Sequence, residues 1–171
     1  MDLKIKGKNA FITGGTRGLG LASLKSLASE GVNIAFCSRS EEGIKKVKEY
    51  LSNFDIKNFG FVHEIDSNDE NINELVKKID ENFGNIDILV NNVGGSLGSS
   101  SLLENDIETY MNVFNINFWS SIKLMKVYSE RMVLNGWGRV INIASIFGRE
   151  YGGKSSSSVS YTHLTLPTNT V

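Results

Sequence analysis

The residues that decide the fold are Thr13–Gly20, T-G-G-T-R-G-L-G, which follow the apolar run Ala10–Ile12 and precede a helical pattern. Gly14, Gly18 and Gly20 allow the backbone to turn sharply and a ligand to come close, since glycine has no Cβ. The N–H groups and the dipole at the start of the following helix attract an anion. The stretch therefore predicts a strand–turn–helix unit that holds a phosphate, although a glycine triplet alone fits an ordinary turn equally well.

The 171-residue chain has the composition of one globular domain, with 40% hydrophobic and 22% charged residues. Its net charge of −1 comes without a basic block, which argues against nucleic acid as a partner. No apolar run approaches membrane-spanning length, and the N-terminus has no signal-peptide pattern. The single cysteine, Cys37, lies in an apolar strand pattern, where a core role is expected. These features predict a cytoplasmic protein with no internal disulfide, no membrane association and no metal site.

Five apolar runs, bounded by turn residues, alternate with helical patterns along the chain. The runs are Asn9–Ile12, Val32–Cys37, Phe59–Ile65, Ile86–Val90 and Arg139–Ala144. They lack the polar alternation of a half-buried strand, which indicates strands that are covered on both faces. The alternation of strands and helices predicts an α/β fold with a doubly wound parallel sheet.

Apolar residues at helical spacing follow each of the first three runs. The three faces comprise Leu19, Ala22, Leu24, Leu27 and Ala28; Ile44, Val47, Tyr50 and Leu51; and Ile72, Leu75, Val76, Ile79 and Phe83. Asp69 is expected to cap the third helix, because an aspartate side chain accepts hydrogen bonds from the N–H groups of a first turn. Two further helices are predicted over Glu104–Phe114 and Asn117–Leu134.

Five sequence marks in a fixed order extend this interpretation. They are Thr13–Gly20, Asp66 after the third strand, N-N-V-G at Asn91–Gly94, Asn115 in F-N-I-N, and Ser145 at the end of G-R-V-I-N-I-A-S. Over about Gly7 to Gly153 they resemble the short-chain dehydrogenase/reductase family, in particular its 3-oxoacyl-carrier-protein reductase-like members. Val93 stands where the family usually has alanine. The resemblance implies a Rossmann-like fold that binds a nicotinamide dinucleotide at the carboxyl ends of its strands.

The resemblance also implies a set of cofactor-binding residues. They are Gly14, Thr16, Arg17, Gly18, Leu19, Gly20, Ser38, Arg39, Asp66, Asn92 and Gly94. The glycine stretch would wrap the pyrophosphate, Asp66 would meet the adenine, and Asn92 and Gly94 would border the adenosine ribose and the strand beneath it. The alternative for Asp66 is a turn residue ahead of a helix. Asn91 is expected instead to hold neighbouring strands together through a buried amide.

The end of the second strand bears on the choice of coenzyme. An NAD-binding site usually carries an acid there, but this chain has F-C-S-R-S and no acid until Glu41. Arg39 falls where a guanidinium pairs with the 2′-phosphate of NADP, and Arg17 in the glycine loop would take a second side of it. NADPH is therefore predicted in preference to NADH. The alternative is that Arg39 is a solvated loop cation.

Carbonyl reduction needs a proton donor, which the family supplies from the tyrosine of Y-x-x-x-K. Asn115 and Ser145 match the family's active-site asparagine and serine, with a helix-kink asparagine and a strand-end serine as the alternatives. The tyrosine–lysine pair has no match, because its expected window is the serine run Ser155–Ser158. Tyr161 comes late and has Thr165, not lysine, four residues on. The chain as printed is therefore expected to be inactive, and to be poorly soluble because its fifth strand is left as an apolar sheet edge.

The C-terminal tail differs from the rest of the chain. Val159–Val171 holds the single proline and no acid, lysine or arginine. Its sequence V-S-Y-T-H-L-T-L-P-T resembles one translated reading frame of a transposon-end adapter used to prepare sequencing libraries. Residues 1–158 are thus expected to form a Rossmann domain that is incomplete at its C-terminal side, and residues 159–171 to be non-native or disordered. The rival is a divergent native terminus.

These features predict an NADP-dependent oxidoreductase that transfers a hydride between the nicotinamide and a small carbonyl or alcohol substrate. The alternative is a non-catalytic dinucleotide-binding module, which the missing tyrosine and lysine favour if the tail is native. A P-loop phosphotransferase is excluded, since no G-K-S or G-K-T follows the glycine loop. In the family the helix over Asn117–Leu134 also packs between subunits, so the full-length form is expected to be a homo-oligomer.

Overall fold

A computed structural model of the chain describes residues 2–96 and 105–145. Its strands are β1 (Asn9–Thr13), β2 (Asn33–Ser38), β3 (Asn58–Val62), β4 (Ile88–Asn91) and β5 (Arg139–Asn142). Its helices are α1 (Gly18–Ser29), α2 (Glu41–Leu51), α3 (Asp69–Asn82), α4 (Ile107–Phe114) and α5 (Ser120–Leu134), with a π-helical turn over Asn115–Trp119 between the last two. The serine run, Tyr161 and the predicted boundary after residue 158 lie outside the described residues.

The strands form one parallel sheet in the order β3-β2-β1-β4-β5. From β1 the chain builds outward through β2 and β3, then returns to the other side of β1 for β4 and β5. Phe11 pairs with Ala35 of β2 and with Leu89 of β4, which puts β1 at the centre. This reversal between β1 and β4 defines a doubly wound sheet, so the predicted fold class is confirmed.

Apolar side chains cover both faces of the sheet. On one face, Phe11 and Leu89 pack with side chains of α3 and α5, such as Tyr128. On the other face, Ile12 and Ile34 pack with side chains of α1 and α2. All five residues are fully buried. Because successive strand residues point to opposite faces, β1 needs apolar residues at its inner positions Ala10–Ile12, which explains the continuous apolar run there.

The strand bounds differ from the predicted ones by a few residues, most of all at β3. The run Phe59–Ile65 predicted a strand as far as Ile65, but β3 ends at Val62. Its pairing with β2 stops at Ser38 and Val62, and the His63 N–H then donates to the Ser38 carbonyl at 3.1 Å. The chain turns away toward α3 at this point. Ile65 remains buried and contributes to the core from a loop.

The start of α3 corrects the predicted helix cap. Asn68, not Asp69, precedes the helix, and its Oδ1 accepts a hydrogen bond from the Glu70 N–H at 3.0 Å. Asp69 is the first helical residue, and its carboxylate contacts Lys123 of α5. Asparagine and aspartate cap helices about equally well, so local preference did not separate these two neighbours.

The buried face of α1 also differs from the predicted one. Gly20, Leu24 and Ala28 are its buried residues, spaced four apart. Leu19 and Ala22 are exposed, because they lie on the side of the helix that faces away from the sheet. The predicted apolar faces of α2 and α3 do pack in the core.

The two helices predicted over Glu104–Phe114 and Asn117–Leu134 form one continuous helical segment. Residue 104 lies outside the described ranges, and Asp106 caps α4 by accepting from the Thr109 N–H at 2.7 Å. The expected break near residue 115 is the π-helical turn Asn115–Trp119. Single π turns inside α-helices are frequent at functional sites. Over the described part of the chain, no helix is long and apolar enough to cross a bilayer.

Among the described residues, the core side chain of Tyr128 carries a hydroxyl without a hydrogen-bond partner. Tyr128 is fully buried, and its ring centroid lies 6.2 Å from that of Phe11. Among the described residues, nothing hydrogen-bonds to its hydroxyl. Burial raises the pKa of this phenol well above its usual range, so the group stays protonated. An unpaired buried hydroxyl destabilises the folded state, because it loses its hydrogen bonds to water.

Replacing Tyr128 with phenylalanine is expected to raise the free energy of unfolding by about 1 kcal/mol, since Y128F removes the unpaired hydroxyl and keeps the ring. Urea unfolding followed by circular dichroism measures the change. Y50F serves as the control, because Tyr50 is only half-buried, and it should shift stability by less than about 0.5 kcal/mol. A loss of stability in Y128F would show that the hydroxyl has a partner after all.

Candidate functional site

The candidate site lies at the carboxyl edge of the sheet, where the strand order reverses. Residues 14–17 connect β1 to α1, and residues 92–96 follow β4 on the neighbouring strand. In open α/β sheets, ligands bind in the crevice at this reversal, outside the carboxyl ends of the strands. The two loops therefore define the site.

The first turn of α1 is open to an external anion. Ser40, Asn68 and Asp106 cap α2, α3 and α4 with their side chains, and each of those first turns carries an acid. Arg17 at the start of α1 makes no side-chain cap, and the first turn of α1 has no acid. Leu19 follows with 63% of its surface exposed. The unpaired N–H groups and the positive end of the dipole are thus left for a ligand such as a phosphate.

Three glycines shape the turn between β1 and α1. Gly14 and Gly18 have φ angles of +68° and +55°, in the left-handed region that favours glycine. Gly20 occupies a position where no side chain fits. A Cβ there would stand 2.4 Å from the Asn92 Nδ2 and 2.5 Å from the Gly14 carbonyl oxygen. Gly20 therefore lets α1 approach the loop that follows β4.

Thr13 joins the two loops, a role that the sequence analysis did not assign. Its Oγ1 accepts hydrogen bonds from the N–H groups of Asn92, at 2.8 Å, and Val93, at 2.9 Å. In return, the Asn92 Nδ2 donates to the carbonyls of Thr13, at 2.9 Å, and Gly14, at 3.2 Å. Because Thr13 is only 2% exposed, these bonds are shielded from water and hold Asn92 beside the glycine turn. The sequence signal for this role was Thr13 itself, the first residue of T-G-G-T-R-G-L-G.

Thr16 and Ser38 connect the glycine turn to the end of β2. Their hydroxyl oxygens are 2.7 Å apart, and the Ser38 Oγ also accepts from the Ser40 N–H at 3.3 Å. Beyond them, the Arg39 side chain is 68% exposed, and its Nη1 lies 3.2 Å from the Oε1 of Glu64. Arg39 is thus on the predicted side of the site, and it has a carboxylate partner from the segment after β3.

Asp66 and Gly94 lie in the loops that follow β3 and β4. The Asp66 Oδ1 accepts from the Asn68 N–H at 2.7 Å, which is the bond of a turn residue ahead of a helix. Gly94 faces the π turn, since a Cβ on it would stand 3.1 Å from the Asn117 Oδ1. Gly94 therefore borders the site, while the Asp66 carboxylate is engaged in the approach to α3.

Asn91 and Cys37 belong to the core beside the site. Asn91 is 3% exposed, and its Nδ2 donates to the Asn142 Oδ1 at 2.9 Å, so it holds β4 and β5 together as the sequence indicated. Burial raises the pKa of the Cys37 thiol to about 12, which keeps it protonated and unreactive at neutral pH. In residues 2–96 and 105–145, no group of three histidine, cysteine or acidic side chains is placed to hold a metal.

The π turn presents Asn117, not Asn115, to the loop after β4. The Asn117 Oδ1 accepts from the Gly95 N–H at 2.8 Å, and its Nδ2 donates to the Gly95 carbonyl at 2.9 Å. Asn117 is 6% exposed. Asn115 instead lines a surface groove with exposed apolar residues such as Met111 and Trp119. The sequence analysis missed Asn117, although F-N-I-N contains both asparagines.

Ser145 lies at the same carboxyl edge, three residues beyond the end of β5. The Ile143 N–H donates to the Asn91 carbonyl at 2.9 Å, which extends the pairing of β4 with this segment. Ser145 is partly buried. The structure thus brings Ser145 to the sheet edge that also carries the glycine turn and Asn92.

A family model described as short chain dehydrogenase matches residues 8–160. The chain belongs to the short-chain dehydrogenase family. The match covers the glycine turn, the loop after β4 and the segment with Ser145, which are the parts that form the candidate site.

Curated members of the family with similar sequences include bacterial reductases. The 3-oxoacyl-[acyl-carrier-protein] reductase FabG of Buchnera aphidicola is 33% identical over 147 residues, which are 84% of this chain and 57% of that protein. FabG of Aquifex aeolicus is 32% identical over 149 residues, 86% of this chain and 59% of that protein. The chain therefore spans less than two thirds of the length of these relatives.

Solved structures of the family share the fold. L-sorbose reductase from Gluconobacter frateurii, complexed with NADPH and L-sorbose, has a TM-score of 0.85 and 26% identity, over 93% of this chain and 60% of that one. An actinorhodin polyketide ketoreductase variant with NADPH has a TM-score of 0.79 and 28% identity, over 90% of this chain and 59% of that one. The predicted Rossmann-like architecture is confirmed.

Alanine at Gly20 is expected to destabilise the protein by about 2 kcal/mol or more, since the added methyl group must push α1 away from Asn92. Thermal and urea unfolding measure this loss. G95A is the matched control, because a Cβ on Gly95 meets no atom within 4 Å. If G20A is no more destabilising than G95A, the close approach of the helix to this loop is not a packing constraint.

Proposed function

We propose that the chain binds NADP(H) at the glycine turn and belongs to an oxidoreductase that acts on a small carbonyl or alcohol substrate. The observation that carries this proposal is the uncapped first turn of α1, set against a glycine cradle that Thr13 and Asn92 hold in place. The residues fit the coenzyme, because Gly14 and Gly20 leave the backbone bare where a pyrophosphate must come close. Bound NADP(H) supplies the hydride.

Arg39 supports NADP(H) in preference to NAD(H). Its guanidinium is largely exposed just after β2, and the preceding residue, Ser38, contacts Thr16 of the glycine turn. A 2′-phosphate there would receive a planar pair of donors from Arg39. Arg17, at the exposed start of α1, is placed to contact phosphate as well. The NADPH complexes of two similar enzymes agree with this assignment.

The substrate side of the proposed site uses Ser145 and an asparagine of the π turn. The Ser145 hydroxyl would donate a hydrogen bond to the carbonyl oxygen of the substrate and polarise it. The sequence pattern favours Asn115 as the family asparagine, whereas the contacts favour Asn117, which is buried and fixes the loop at Gly95. We assign the positioning role to Asn117. The Asp66 Oδ1 is used by the turn ahead of α3, so the contact with adenine would fall to the other oxygen of this carboxylate.

The presence or absence of a proton donor distinguishes an active oxidoreductase from a non-catalytic dinucleotide-binding module. The printed sequence has no Y-x-x-x-K motif after Ser145, and a serine hydroxyl is too weak an acid to replace a tuned phenol. We therefore expect the chain as printed to bind coenzyme without reducing a ketone, as an inactive dinucleotide-binding module. The oxidoreductase activity belongs to a protein that carries the tyrosine and lysine. Recovery of a longer gene with that motif would decide for the enzyme.

The surface of α4 and the π turn supports a homo-oligomer of the complete protein. Ile107, Met111, Phe114 and Trp119 expose apolar side chains on one groove, with exposed fractions of 75%, 61%, 44% and 48%. Contiguous apolar surface of this kind marks interaction sites.

Two further expectations from the sequence stay predictions. They are the boundary between a Rossmann domain over residues 1–158 and a tail over residues 159–171, and the location of the protein in the cytoplasm.

Isothermal titration calorimetry of the 171-residue chain with each coenzyme tests the proposed function. We expect NADPH to bind more tightly than NADH, and R39D to weaken NADPH binding by at least about tenfold while leaving NADH binding nearly unchanged. K77D is the control for the change in charge, because Lys77 lies in an exposed ion pair on α3. No heat with either coenzyme would overturn the proposal. An unchanged preference in R39D would overturn the role of Arg39.

Alanine substitutions separate the two asparagines of the π turn. N117A leaves the Gly95 N–H and carbonyl without partners, so it is expected to speed amide hydrogen exchange in residues 92–96 and to weaken NADPH binding. N115A should change neither. Exchange measured by mass spectrometry, together with the NADPH dissociation constant, provides both readouts. The assignment to Asn117 fails if N115A has the larger effect.

A further inference from the structure

The sequence at the end of β2 has no acidic residue, but the fold brings an acid from another segment, Glu64, to this place. Phe36–Ser40 contains no carboxylate, yet Glu64 places its Oε1 3.2 Å from the Nη1 of Arg39. The two segments meet because β2 and β3 pair as far as Ser38 and Val62, and the His63 N–H extends the pairing by one more bond. Arg39 and Glu64 are the first residues that follow this last hydrogen bond between the two segments.

The position of Glu64 is fixed by its backbone. Its carbonyl accepts a hydrogen bond from the Asn71 Nδ2 at 2.9 Å, and the Asn71 Oδ1 lies 3.1 Å from the Nε2 of His63 and 3.3 Å from the Asp66 nitrogen. His63 is 8% exposed and Asn71 is half-buried, whereas the bond from Asn71 to the Glu64 carbonyl is exposed. The segment that carries Glu64 is therefore held between β3 and α3, which keeps this residue within reach of the end of β2.

We propose that Glu64 is a specificity-determining residue that limits the preference of this site for a coenzyme with a 2′-phosphate. The inference rests on the proposed function, in which Arg39 receives that phosphate. Glu64 acts in two ways. Its carboxylate competes with the phosphate for the Arg39 guanidinium, and its negative charge repels the phosphate dianion. NADH has a hydroxyl at this position and experiences neither effect.

The exposure of the pair sets the size of the effect. The Arg39 and Glu64 side chains are 68% and 72% exposed, so water and salt weaken their mutual attraction and the phosphate can displace the carboxylate. Repulsion between a carboxylate and a phosphate a few ångströms apart in such a medium corresponds to about three- to tenfold in affinity at physiological ionic strength. Glu64 therefore adjusts the preference and does not reverse it.

The test compares E64Q with the unsubstituted 171-residue chain in calorimetric titrations with NADPH and with NADH. Glutamine keeps the size of the side chain and removes its charge, and the exposed position leaves folding unaffected. We expect the NADPH dissociation constant to fall by about three- to tenfold, and that for NADH to change by less than about twofold. In 1 M KCl the gain should shrink, because the Debye length falls to about 3 Å.

E74Q is the matched control. Glu74 forms an exposed ion pair with Lys78 on α3 at 2.7 Å, so its substitution removes the same charge from a helix and leaves the pair of Arg39 and Glu64 in place. E74Q should leave the ratio of the two dissociation constants unchanged. A general disturbance of the fold would shift both coenzymes together and would not move this ratio.

The outcomes separate the inference from the proposed function. If the unsubstituted chain binds neither coenzyme, the proposed function fails and the inference falls with it. If that chain binds NADPH but E64Q leaves the ratio within about twofold of the original value, only the role of Glu64 is refuted. The inference is supported if the ratio of the NADPH to the NADH dissociation constant falls in E64Q and does not change in E74Q.

Discussion

The close approach of α1 to the loop after β4 is the constraint on which the rest of the site depends. It requires a residue without a side chain at Gly20, and it is fixed by the reciprocal hydrogen bonds of Thr13 and Asn92. Neighbouring central strands supply the two partners, so the sheet itself positions them. The consequence is a rigid cradle around the uncapped first turn of α1, where the positive end of the helix dipole is exposed.

Much of this arrangement was predictable from the sequence, because its signals are local. The glycine stretch requires a particular backbone, and the continuous apolar runs follow from burial on both faces of the sheet. The strand order then follows from right-handed crossovers and the reversal between β1 and β4. Errors in local signals were small, as at Asn68 and Asp69, where two equally good capping residues stand side by side.

The features that the sequence did not reveal depend on contacts between distant segments. The pairing of Glu64 with Arg39 joins residues that are 25 positions apart, so no local sequence pattern predicts it. The choice between Asn115 and Asn117 depends on which side of the helical segment faces Gly95, and the π turn changes that phase. Leu19 suited an apolar face by spacing, but the glycine turn places it away from the sheet. In each case tertiary geometry decided between local alternatives.

The π turn also constrains how this segment can change in length. Each residue of an α-helix advances the side chains by about 100°, so an extra residue rotates everything after it relative to everything before it. Val113 before the turn and Leu124 after it are both buried in the present phase. Deletion of one residue within Asn115–Trp119 would convert the π turn into regular α-helix and rotate the buried side chains of α5 toward solvent. Evolution can therefore exchange residues in this stretch far more readily than it can shorten it.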